Sequence, residues 1–117
     1  MNIKLAFFVI LTTLAINADW GDDSITERRQ GLLDIDGTKY IDEVCKYEED
    51  SDGSFRLFGK RYFIYFRKNK DGTGYADWNE SPDSSHAHTP LGNFVENDGC
   101  WVDINRSISI CVREVGK

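Results

Sequence analysis

Four Asp-Gly pairs divide this chain: Asp36-Gly37, Asp52-Gly53, Asp71-Gly72 and Asp98-Gly99. Both residue types tolerate the positive φ that tight turns require. Between the pairs lie runs rich in β-branched and aromatic residues. They read as strands at Lys39–Tyr47, Phe55–Phe58, Tyr62–Lys68, Gly74–Trp78, Gly92–Glu96, Cys100–Ile104 and Ser107–Arg113. Short strands at this spacing predict a mainly β fold: a small antiparallel sandwich, a barrel or a strongly curved sheet.

One short N-terminal helix is expected before them. Ser24-Ile25-Thr26-Glu27 has the capping-box pattern, and Gln30–Leu33 continues it to a stop near Gly37. The alternative layout is α+β, with this Ser24–Leu33 helix packed on an antiparallel sheet. The run Tyr62-Phe63-Ile64-Tyr65-Phe66 favours such a cover, because it is apolar on both faces. Uncovered, it would be an aggregation hazard.

The three cysteines divide unequally. With Asn105-Arg106 as a hairpin turn, Cys100 falls directly opposite Cys111. Opposed Cα atoms lie roughly 4.5–5.5 Å apart, within reach of a disulfide. A register slip of one residue would put the two on opposite faces. Cys45 is left as a buried thiol, as a competing partner for Cys100 or Cys111, or as the link of a dimer.

Residues 1–18 read as a secretory signal. Lys4 is the only charge, Leu5–Leu14 is apolar, and Ala15 and Ala18 are small. Cleavage is expected after Ala18, with Ala15 the fallback. The apolar run is too short to span a bilayer comfortably, so no stable membrane insertion is expected. Cleavage would leave a single β-rich domain at 19–117, secreted or periplasmic. It would remove one Lys and no acid, moving the formal charge from −6 to −7. A domain this small gains from a disulfide where the compartment allows one.

Candidate chemistry centres on Asp83-Ser84-Ser85-His86-Ala87-His88. His-x-His presents both imidazoles on one side of an extended segment, and Asp83 adds an oxygen. A metal-binding protein or hydrolase using Asp83, His86 and His88 is therefore the alternative function. An EF-hand is excluded, since neither Gly53 nor Gly72 is followed by a Glu at the required position. Phosphate loops, nucleophile elbows and zinc-protease helices are also missing from the sequence. No cofactor is expected.

Charge is unevenly spread. Arg56, Lys60, Arg61, Arg67, Lys68 and Lys70 fall in Arg56–Lys70, which contains no acid. The segments on either side are acidic. Either the basic strands pair with acidic Asp42–Asp52 across a ladder, or the surface has two poles. An acidic pole would steer a basic protein; the basic-aromatic stretch would attract an anionic glycan or lipid headgroup. Nucleic acid is a poor partner for so acidic a protein.

These features lead to an exported, non-enzymatic binding module acting on a basic protein partner, as an inhibitor or immunity-type protein does. As a class it is similar to small acidic exported β proteins with one disulfide, such as periplasmic inhibitors of host lysozymes and immunity proteins against toxins. Trp78, Asn79, Glu80, His86 and His88 are the expected contacts, because loops held by rigid strands often carry recognition. The oligomeric state is expected to be a monomer or a Cys45-linked dimer. A surface-assembly subunit joined through Cys45 is a third reading.

Overall fold

Each run expected to be a strand overlaps one in the computed structural model, which describes residues 27–103 and 105–116. The elements are β1 (Glu27–Ile35), β2 (Thr38–Glu49), β3 (Phe55–Phe58), β4 (Phe63–Lys68), β5 (Gly74–Trp78), β6 (Thr89–Asn97), β7 (Cys100–Asp103) and β8 (Ile108–Glu114). All pairings are antiparallel between chain neighbours, and β8 returns to pair with β1, closing an eight-stranded barrel. Closure leaves no sheet edge unpaired.

The Asp-Gly pairs build two kinds of turn. Asp36-Gly37 and Asp98-Gly99 have positive φ at both residues, 54° and 89°, then 60° and 84°. They connect Ile35 to Thr38 and Asn97 to Cys100 as two-residue hairpins. The other two pairs lie in longer turns, where only the glycine has positive φ. There Asp52 accepts from the Ser54 amide (2.9 Å) and Asp71 from the Thr73 amide (3.0 Å). These bonds hold both carboxyls below the usual carboxylate range.

The expected helix is corrected. Glu27–Leu33 is part of β1, while Ser24–Thr26 lie outside the described residues, as does the expected signal segment. Two ladders hold β1 extended, to β2 on one side and β8 on the other. The two-residue turn after Ile35 aligns β1 with β2 and turns Gly31 and Leu33 inward. A local capping preference contributes about 1 kcal/mol and does not outweigh two ladders and an inward face.

Alternation fills the barrel. Leu33, Ile41, Leu57, Ile64, Phe66, Leu91, Phe94, Ile108 and Ile110 are essentially inaccessible to solvent. Each such side chain contributes roughly 1.5–3 kcal/mol by leaving water. Phe66 is central: it stacks on Phe55 (centroids 4.8 Å apart) and touches Trp101 (4.6 Å) and Phe94 (6.1 Å).

The β7–β8 register matches the sequence expectation. Cys100 pairs with Cys111, Val102 with Ser109 and Asp103 with Ile108. The two cysteines form a disulfide, with Cα atoms 4.4 Å apart.

Candidate functional site

Because side chains occupy the barrel axis, the accessible surface lies at its ends and on its outer wall. One end carries the β2–β3, β4–β5 and β6–β7 connections. Its mouth is a recess of about 330 Å³ over Tyr47, Phe55 and Trp101, rimmed by Arg29, Glu49, Lys68 and Glu96. Tyr47 donates to Glu49 (3.0 Å) and lies under the Arg29 guanidinium. Burial and the Glu49 bond both push its phenol pKa up.

The opposite end carries the β1–β2, β3–β4, β5–β6 and β7–β8 connections, including the residues expected to make contacts. Trp78 and Asn79 are not exposed there: they are 4% and 2% accessible. Trp78 is an inward residue of β5 and packs on Tyr40 and Tyr62 (5.0 and 5.4 Å). Asn79 fastens two loops together. Its Oδ1 accepts from the Phe63 amide at 2.7 Å, while its Nδ2 donates toward the carbonyls of Arg61, Ser81 and Ser84. Glu80, Asp83, His86 and His88 are exposed on the loop that Asn79 anchors.

The His86 and His88 rings stack with centroids 5.0 Å apart. Among the described residues, no three His, Cys, Asp or Glu side chains are grouped as a metal ion requires. Of the expected Asp83, His86 and His88 set, the two imidazoles are brought together and Asp83 is exposed on the same loop.

Cys45 is 1% exposed and faces the barrel interior, where its thiol donates to the Glu43 carbonyl at 3.3 Å. Burial, then the Glu43 charge, pushes its pKa from 9.0 up to about 11. Pairing with Cys100 or Cys111 is overturned by their mutual bond. A Cys45-linked dimer or assembly would require the barrel to open.

Charge separates along the axis. The loop-rich half holds Asp34, Asp36, Asp42, Glu43, Asp77, Glu80, Asp83 and Asp103 against Lys39, Lys60, Arg61 and Arg106. Several of these are held internally. Asp34 pairs with Lys39, Asp103 accepts from the Asn93 and Asn105 amides, and Arg106 donates to the Leu91 carbonyl. Asp36, Asp42, Glu80 and Asp83 face solvent. Among the described residues, the other half, with the open mouth, is close to balanced.

The basic-aromatic stretch forms part of the outer wall. Phe63 and Tyr65 point outward from β4 and form a cluster with Phe58 of β3, with centroids 5.7–6.3 Å apart. Lys46 caps Phe58 at 4.8 Å. These rings shield one another where a covering helix was expected. Beside them, Arg56 sits between Glu48 (2.9 Å) and Asp50 (3.1 Å), so the basic run is partly neutralised across the β2–β3 ladder. The alternating aromatics of Tyr62–Phe66 were the signal for this wall.

Among the described residues, no helix is long and apolar enough to cross a membrane. The chain matches no family model, no curated protein and no solved structure.

Proposed function

We propose that this chain is an exported binding module without catalytic activity, an inhibitor or immunity-type protein that docks a basic protein through the acidic end of its barrel. The charge separation carries the reading. Solvent-facing carboxylates gather on the end whose longest loop, 79–88, is anchored by buried Asn79. A fixed acidic surface attracts a basic partner at distance and keeps its shape on contact. Export is supported by the apolar N-terminal run and accords with the intramolecular disulfide.

The test is association of the exported chain with a panel of basic secreted enzymes, followed from low to physiological salt. At least one member should bind, and its on-rate should fall steeply as ionic strength rises. Absence of binding at low salt, or an on-rate indifferent to salt, contradicts the proposal.

A further inference from the structure

The wall near the open mouth holds a second feature, at the opposite half of the barrel from the acidic loops. A groove of about 430 Å³ runs between the β2–β3 and β4–β5 turns, with Arg56, Tyr65, Arg67, Lys68 and Tyr75 along it. Its geometry follows from strand pairing. Arg56 is opposite Tyr65, and Arg67 is opposite Tyr75. Tyr65 and Arg67 are two apart on β4 and so share its outer face. The Arg67 side chain therefore leaves the sheet beside both tyrosines, Tyr65 two residues before it and Tyr75, 40% exposed, across the ladder.

Charge in the groove is asymmetric in use. Its acids have partners: Asp50 holds Arg56, and Asp52 accepts from the Ser54 amide. Arg67 and Lys68 make no ion pair among the described residues, and both are exposed. An unpaired Arg67 beside two phenol rings, with Lys68 on the other face of β4 at the barrel mouth, suits a ligand with an anionic group and a flat, weakly polar ring face. A sugar ring offers that face through its C–H bonds, which meet the negative face of an aromatic ring. A carboxylate on the ring would take the planar guanidinium in two parallel bonds.

We propose that this groove binds an acidic saccharide, with Tyr65 and Tyr75 as stacking platforms and Arg67 as the carboxylate anchor. The overall negative charge of the protein favours a short uronate over a dense polyanion.

Isothermal titration of the exported chain with trigalacturonate tests it, with the fully methyl-esterified trimer and sodium acetate as controls. Trigalacturonate should bind, the ester should bind at least about tenfold more weakly, and acetate should not compete at millimolar concentration. Arg67→Gln and Tyr75→Ala should each weaken binding about tenfold. Both sites are exposed, so circular dichroism and the melting temperature should match the wild type. Reversal of Glu80 and Asp83 at the other end should leave saccharide binding unchanged, which separates this site from the proposed protein-docking end. No binding of trigalacturonate, equal binding of the ester, indifference to both substitutions, or preferential binding of hexathymidylate would each overturn the assignment.

Discussion

Asn79 shows how one polar side chain can fix a loop. Its amide satisfies the Phe63 amide and reaches three carbonyls from a 2% exposed position. Asn79→Ala leaves buried groups without partners, so urea denaturation should show a loss of about 2–3 kcal/mol. The sequence singles out this residue but not its depth: Trp78 and Asn79 are buried while Glu80 beside them is exposed. Burial depends on where β5 ends against β4, which local sequence does not encode. Cys45 carries a separate prediction. Its raised pKa keeps the folded thiol protonated at pH values where the unfolded thiol ionises. Its contribution is therefore full below about pH 9 and declines as pH rises toward 11. The slope is at most about 1.4 kcal/mol per pH unit. In denaturation series from pH 8 to 11, Cys45→Ala should lose less stability than the wild type. Tyr47, raised in the same direction, is retained in both proteins and continues to act in the alkaline range.

At the scale of elements, turn chemistry made the strands legible. Asp-Gly located the ends of Phe55–Phe58 and Gly74–Trp78, and the Cys100↔Cys111 register followed from a hairpin between them. The hairpin disulfide closes a short loop, with 11 residues of sequence separation. Reduction should cost about 3 kcal/mol in the chain-entropy account, read as a lower urea midpoint with little change in slope. The β1 segment was misread because its Ser24–Glu27 cap is local, whereas its pairing partners lie up to the far end of the chain at β8. The close approach at Gly74 is a matching case: a Cβ there would meet the Phe66 ring and the Arg67 carbonyl. Gly74→Ala should therefore destabilise by about 1–3 kcal/mol, measured by thermal unfolding. Only the three-dimensional ladder between β4 and β5 reveals that constraint.

Across the whole molecule, closure of the sheet decides where function can lie. The alternating aromatics of β4 need no covering helix: in a barrel, Ile64 and Phe66 fill the axis while Phe63 and Tyr65 form an outer wall. The acidic and basic segments were legible in sequence, but their arrangement was not. Antiparallel strands return every second connection to the same end, so carboxylates from the β1–β2, β5–β6 and β7–β8 connections and their flanking strands gather there, while the β3–β4 connection adds Lys60 and Arg61. The central claim is that this end, rather than overall charge, recognises a basic partner. Two triple variants with the same charge change separate these ideas. Asp42, Glu80 and Asp83 to Lys alters the acidic end; Glu27, Glu96 and Glu114 to Lys alters the other. Binding of each to the strongest partner from the basic-enzyme panel should be measured at physiological salt. The account predicts a loss of more than about tenfold for the first variant and less than about threefold for the second. Equal losses in the two variants would contradict it.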